Sequence, residues 1–400
     1  MTYNVDDDVA VREIDTGTPP DRYARGWHCV GLAEEFDDGA PHAIEVFGTK
    51  LVVWSIDGEF AALDNYCRHM GGDLSIGTMK DGRIACPFHD WRWAADGRCT
   101  HVPYAKRPPR LARTRTWPTM VRNNQLFIYN DFEGNPPPSV CVVPALEQCE
   151  TGEWSPWTWN RLVINGAHSR EIMDNVSDMA HFFYVHYAMP EYFMNVFEGE
   201  TATQYLASQG RPDVDLTTSY GKTRLESTAT YYGPAYMLQY MHQTYGEYSI
   251  DSILVNCHYP IDMNSFVLMF GVMVRRPVGF TDEQVNAMLE KIAAGIEVGY
   301  LQDVNIWQSK TRIDNPLLVE EDGAVYQLRR WYDQFYVDVA DVTPEMTARF
   351  ECEVDTTNAQ ESWANEVQDN LRRRETGAAL QTEVDKKQAQ VKALRKQAEL

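Results

Sequence analysis

Residues 67–93 read CRHMGGDLSIGTMKDGRIACPFHDWRW, and four of them decide what the N-terminal part of the chain must be. Cys67 and His69 stand one residue apart; after sixteen intervening residues come Cys86 and His89, with two residues between them. Each short stretch offers one thiolate and one imidazole, backed by turn-forming residues, Gly71 and Gly72 in the first and Pro87 in the second. This is the donor set of a mixed-ligand [2Fe–2S] centre, in which thiolates hold one iron and histidines replace them on the other, raising the reduction potential. The site reads as an electron carrier. Two Cys and two His also satisfy tetrahedral zinc, which is the competing reading. Zinc spacings usually group Cys with Cys and His with His, whereas here each loop carries one of each.

Outward from these loops, residues 20 to about 135 show short alternating runs broken by turns: HAIEVFGTKLVVWSIDG, EFAALDNY, GRIACPFHDWRW and QLFIYN. The pattern predicts a small antiparallel β domain. It closes at Gly134-Asn135-Pro136-Pro137-Pro138, a stiff linker. Beyond it, runs such as TRLESTATYY, MLQYMHQTY and SFVLMFGVMVRRP predict strands of a second antiparallel sheet with helices beside it, so the fold class expected is α+β. The expected division is 20–138 for the first domain, 1–19 with 139–365 for the second, and a polar helical tail over 366–400.

Four hundred residues, 44% of them apolar, can bury a large core. No run is long and apolar enough to span a bilayer, and the acidic start MTYNVDDDVA is no signal peptide, so a cytoplasmic location is expected. Eight cysteines in a chain of this length are too sparse for a disulfide framework. A formal net charge of −22 argues against nucleic acid or an anionic membrane as partner. The sign reverses between Arg92 and Arg115, where Arg92, Arg98, Lys106, Arg107, Arg110, Arg113 and Arg115 face a single acid, Asp96. That run reads either as a solvated or subunit-contacting face or as a landing site for an acidic electron donor.

The segment 171–190, EIMDNVSDMAHFFYVHYAMP, sets Asp178, His181 and His186 in an apolar helical stretch. Asp178 and His181 share a helix face. His181 and His186 do not, since five residues at helical pitch separate them by about 140°, so for both imidazoles to meet one ion the helix must end, bend or widen into a π-type turn. A further helix is signalled at Thr281, with Gln284 completing a capping box and Phe280 and Val285 a staple. Its apolar stripe, Val285, Met288, Leu289, Ile292, Ile296 and Tyr300, continues to Asp303. A carboxylate aimed at a core is costly unless paired or bound to metal. Two His and one Asp form the facial triad of non-haem Fe(II) oxygenases; a buried salt bridge is the alternative for Asp303.

Together these motifs resemble the Rieske non-haem iron oxygenases. The strings CRHMGGDLS, ACPFHDWRW, PYAKR, DNVSDMAHFFYVHYAMP and TRIDNPLL are most similar to the oxygenase components of 3-ketosteroid 9α-hydroxylases, over about residues 10–350. The resemblance implies an N-terminal all-β Rieske domain and a helix-grip catalytic domain with a curved antiparallel sheet. It implies that Cys67, His69, Cys86 and His89 ligate the cluster and that His181, His186 and Asp303 ligate a mononuclear Fe(II). It also implies that Asp178 bridges an iron-ligating histidine to a cluster histidine of a neighbouring subunit in a head-to-tail homotrimer, and that Asn175 sits near the iron.

The implied reaction is hydroxylation of a 3-ketosteroid, at C9α, with O2 and reductase-supplied electrons, in steroid breakdown. Val176, Gln204, Tyr232, Asn256 and Trp307 are the implied substrate-contacting residues. No Gly-x-Gly-x-x-Gly fingerprint follows a strand, so NADH and flavin are expected on a separate flavin/iron–sulfur reductase. Two rival functions fit parts of the sequence. One is a Rieske oxygenase for another substrate, such as an O-demethylase or aromatic-ring hydroxylase. The other is a pure electron-transfer protein of Rieske ferredoxin type, which would leave Asp303 with nothing to bind.

Overall fold

A computed structural model describes residues 11–214 and 223–375. The N-terminal region is built from short antiparallel strands in three small sheets. One pairs Gly26–Leu32 with Gln125–Asn130 and Thr119–Arg122. A second runs His42–Val46, Thr49–Ile56, Glu59–Asp64, Thr116–Trp117. The third, Thr78–Lys80, Arg83–Ala85, Arg92–Trp93 and Cys99–His101, carries the cluster loops at one end. Leu51, Val53 and Ala62 face one side of the second sheet, and Val52, Trp54 and Leu63 the other. This strict alternation is why so small a unit can pack two cores.

The larger region centres on an eight-stranded antiparallel sheet. Its strands from Ala188–Glu198 to Ser265–Val274 follow one another as a meander, while Asn160–Asn165 closes one edge and Phe350–Glu353 the other. Ser265–Val274 is buried along its whole length, which matches its unbroken apolar composition. The helix Asp282–Ser309 starts at the expected capping box, with the Gln284 amide donating to the Thr281 hydroxyl oxygen at 3.3 Å and the Thr281 amide donating to Gln284 Oε1 at 2.9 Å.

The Gly134–Pro138 stretch has no strand or helix, and the two regions it joins share a core. Trp27, Cys29 and Phe127 of the first pack with Tyr236, Ile253 and Cys257 of the second. Near the C-terminus a helix spans Thr357–Glu375, beginning before the polar run at 366. It is one-sided, with Trp363 and Val367 buried against Phe183 and Phe193. The rest of the expected tail, 376–400, lies outside the described residues.

Candidate metal centres

The two cluster loops have the same backbone design. In the first, the Gly71 amide donates to the Cys67 carbonyl at 2.9 Å and the Cys67 amide to the Gly72 carbonyl at 2.8 Å. In the second, the Asp90 amide donates to the Cys86 carbonyl and the Cys86 amide to the Trp91 carbonyl, both at 2.9 Å. Gly71 and Asp90, each four residues after the cysteine, both have positive φ, +74° and +56°. Glycine adopts that conformation freely and Asp more readily than most residues. Gly72 is required for a different reason: a Cβ there would lie 2.6 Å from Cys86 Sγ. The first loop is anchored by Asp73, which accepts from Lys50 Nζ at 2.7 Å, Asn65 Nδ2 at 2.8 Å and the Ser75 amide at 2.9 Å. Burial opposes the Asp73 charge, but these donors together hold its carboxyl well below the usual carboxylate range.

The loops thus bring Cys67 and Cys86 together at the edge of one buried core, with the His69 and His89 rings 4.7 Å apart between centroids. His89 Nδ1 is buried and has no hydrogen-bond partner among the described residues. A buried nitrogen left bare among two thiols and a second imidazole fits a metal ligand, and the donor set fits a mixed-ligand [2Fe–2S] cluster. Around it, Met70, Phe88 and Tyr104 are all more than half exposed. Of the neighbouring basic run, Arg92 pairs with Asp90 at 3.2 Å, Arg98 with Asp96 at 3.4 Å, and Arg115 lies over the Trp117 ring. Lys106, Arg107, Arg110 and Arg113 are exposed.

The second site lies at the break in segment 171–190, which is less helical than its composition suggests. A 3-10 stretch, Ser169–Val176, is followed by a gap at 177–179 and a short helix, Ala180–Tyr184. The expected irregularity falls between the two histidines. The helix ends at Tyr184, the Val185 amide donates to the His181 carbonyl at 2.7 Å, and the His186 amide reaches the same carbonyl at 3.4 Å, an i to i+5 bond of π type. Tyr187, at φ +56°, then turns the chain into the strand Ala188–Glu198.

Asp303 reaches the site from the helix Asp282–Ser309, only 6% exposed. Ligand atoms of His181, His186 and Asp303 lie within 4.8 Å of one another. His186 Nε2 is 3.3 Å from Asp303 Oδ2. Burial pulls the His186 pKa down, yet the adjacent Asp303 charge outweighs it and the net shift is upward, so the pocket favours a cation beside that carboxylate. His181 Nδ1 lies 2.5 Å from the Asp178 carbonyl, which can only accept, so Nδ1 carries the proton and Nε2 is left free to bind metal. Two imidazole nitrogens and a carboxylate on one side of a cavity fit a mononuclear Fe(II) with open positions.

Asp178 caps the short helix, its Oδ1 accepting from the His181 amide at 3.1 Å. Burial opposes ionisation, but His181 outweighs it and lowers the Asp178 pKa, so the carboxylate is charged. Its side chain is 44% exposed. Asn175 Oδ1 accepts from Trp307 Nε1 at 3.3 Å, tying the 3-10 stretch to the metal helix one turn past Asp303.

The metal face opens on a cavity of about 1030 Å³ between the sheet and the long helix. Asn175, Val176, Gln204, Asn256 and Trp307 line it. Gln204 Nε2 also holds the segment, donating to the Val176 carbonyl at 2.9 Å. Tyr232 does not line the cavity. In the strand Thr223–Tyr232 the residues facing it are Thr223, Leu225, Ala229 and Tyr231, and period-two alternation sends Tyr232 to the opposite face, against the shared core. Counting alternation from the apolar Leu225 would have selected Tyr231.

No local signal marks Arg211, which braces the ligand segment from behind. Its amide donates to the Tyr187 carbonyl at 2.9 Å and its Nη1 to the Phe183 carbonyl at 3.2 Å, one on each side of His186. The guanidinium covers the Phe183 ring and is bidentate to Asp213, at 3.1 and 2.7 Å, with Glu366 at 3.3 Å from the C-terminal helix. Phe183 in turn stacks on Trp363 of that helix.

Two family models match the chain. Residues 26–120 match the Rieske [2Fe-2S] domain, and residues 128–336 match the 3-ketosteroid 9α-hydroxylase C-terminal domain. The chain belongs to the 3-ketosteroid 9α-hydroxylase oxygenase family. This Rieske oxygenase is 59% identical over 366 residues to the oxygenase component of 3-ketosteroid-9-alpha-monooxygenase of Mycolicibacterium smegmatis, covering 91% of this chain and 96% of that one. It is 58% identical over 369 residues to the protein of the same name from Mycobacterium tuberculosis, covering 92% and 96%. Among solved structures, dicamba monooxygenase bound to dicamba superimposes with a TM-score of 0.63 at 19% identity, over 78% of this chain and 97% of that one, a likeness of fold.

Proposed function

We propose that this chain is the terminal oxygenase of a multicomponent monooxygenase that hydroxylates a 3-ketosteroid, at C9α. One atom of O2 enters a C–H bond and the other leaves as water, with two electrons drawn from NADH through a separate flavin/iron–sulfur reductase and two protons, one from NADH and one from solvent. The observation that carries the reading is the His181–His186–Asp303 face at the wall of a large, mainly apolar cavity. When bound, the cluster supplies electrons singly and the Fe(II) supplies O2 activation; the chain's own residues do the rest. Gln204, Tyr231 and Asn256 are among the polar side chains of a wall that is mainly apolar in area, which suits a flat polycyclic ketone. Among the described residues Tyr231 Oη and Asn256 Oδ1 are buried with no hydrogen-bond partner; the Tyr231 hydroxyl can donate to a substrate carbonyl, whereas Asn256 Oδ1 can only accept, from a substrate hydroxyl.

Asp178 has a half-exposed, ionised carboxylate whose hydrogen bond stays within its own segment. In the proposed head-to-tail homotrimer its free face meets His89 of the next chain, and Met70, Phe88 and Tyr104 are covered there. The exposed Lys106, Arg107, Arg110 and Arg113 form the landing site for an acidic donor. Among the described residues no helix is long and apolar enough to cross a membrane, and we place the enzyme in the cytoplasm.

The test supplies the purified protein with NADH, a compatible reductase and 18O2, and offers a 3-keto-4-ene steroid or a methoxybenzoate. The proposal expects steroid product heavier by one 18O and no demethylation. Demethylated benzoate with untouched steroid overturns it in favour of the O-demethylase reading.

A further inference from the structure

We infer that Trp93 sets the reduction potential of the cluster by donating its indole N–H to the Cys67 thiolate. This rests on the reading of the two loops as a [2Fe–2S] site. Trp91, Arg92 and Trp93 follow the second loop directly, and strand alternation turns both indoles inward while Arg92 turns out to Asp90 and Asp81. The indoles therefore reach across to the first loop. Trp93 is fully buried, with Nε1 3.3 Å from Cys67 Sγ. Trp91 stacks on the His69 ring at 4.4 Å and 7°, its own N–H donating to the Tyr104 hydroxyl oxygen at 2.7 Å. One turn of the second loop thus touches a ligand of each iron: the thiolate side through a hydrogen bond, the histidine side through a ring.

The two contacts differ in what they do to electron uptake. Stacking fixes the orientation of His69. An indole N–H can only donate, and a sulfur that carries more negative charge accepts more strongly. When the reductase gives up one electron and the cluster gains it, the charge shared by the Cys67 sulfur grows, so the Trp93 bond favours the reduced form. Hydrogen bonds to cluster sulfurs are among the factors that set such potentials. Burial of Trp93 keeps water from replacing the donor, since a solvated sulfur would find another N–H or O–H.

The experiment is a spectroelectrochemical titration of the holoenzyme and of Trp93→Phe, with the visible and EPR spectra of the cluster recorded on each. The expected result is an intact Rieske spectrum and an equilibrium for reduction weakened about tenfold, a fall of about 59 mV for one electron. An intact spectrum with an unchanged potential overturns the inference and leaves the cluster reading standing; absence of a Rieske spectrum from the unaltered protein overturns the cluster reading itself. If Trp93→Phe does not load the cluster, the Trp93 indole is replaced by its benzothiophene isostere, which keeps the shape and removes the N–H. A loaded isostere with a lowered potential supports the inference. An unchanged potential, or failure to load in both variants, overturns it, because a bond that only tunes the potential is not needed for assembly.

Discussion

The cluster loops gather all four of their candidate ligands from residues 67–89, and each loop is closed by its own backbone hydrogen bonds. The mononuclear face draws two ligands from an irregular segment and a third from a helix that begins at Asp282, and it coheres only because the sheet, the long helix and the C-terminal helix pack together. The first site is preorganised by turn geometry; the second is a product of tertiary packing. The difference teaches where each is vulnerable: the first to a single methyl group in a loop, the second to changes well away from any ligand.

The largest effects come from variants that break one site and spare the other. Gly72→Ala pushes a methyl against Cys86 Sγ, at 2.6 Å before relaxation, so the visible absorbance of the cluster is lost while one iron per chain remains. Asp303→Ala does the reverse, abolishing steroid turnover and removing the single iron with the cluster spectrum unchanged. If either variant empties both sites, the sites are not independent. Asp178→Asn sharpens the comparison differently: both metals stay, and turnover falls about 10- to 100-fold or more, because a group behind the ligands is altered. Turnover near that of the unaltered protein removes the bridging role.

Next in size is Arg211→Met, which leaves the buried Asp213 without a counter-charge, held by the Asn370 amide. Breaking a buried pair from one side costs about 3 to 5 kcal/mol, read as a lower thermal midpoint, and the loosened His186 segment sheds iron before the cluster bleaches. Simultaneous loss of both spectra would show that Arg211 stabilises the whole fold and does not brace one site.

A different probe is pH, which acts where the two regions meet. Burial, the dominant cause in each case, lowers the pKa of His28 and His168 to about 4 and of His258 to about 3. In the unfolded chain these imidazoles protonate near the ordinary value of about 6.5. The unfolded state therefore binds more protons between about 6.5 and 4, so stability is full above that window and falls as pH drops through it, by up to about 1.4 kcal/mol per unit for each histidine. Denaturant midpoints measured from pH 7.5 to 4.5 check this. A His258→Gln variant with the same slope as the unaltered protein would remove that histidine from the account.

Legibility in the sequence followed the same division. The paired Cys–His loops, the capping box at Thr281 and the turn required between His181 and His186 were readable because each is fixed by spacing within a few residues. Asp303 was readable one step further, as a carboxylate on an apolar helical stripe. The bracing of His186 by Arg211 was not, because it joins a strand end to a helix distant in sequence and leaves no periodic trace. Tyr232 in place of Tyr231 was a register matter: one residue along a strand exchanges the faces of the sheet. The extent of the C-terminal helix was hidden by its polar composition, since its inward face is carried by few apolar residues, Trp363 and Val367 with Ala359 and Leu371 beside them.

The account depends most on two different iron sites in one chain, and elemental analysis of the purified protein tests that directly. It predicts about three irons and two acid-labile sulfides per chain, with no zinc. Zinc at the Cys67–His89 loops, or only two irons with Asp303 holding none, would contradict it.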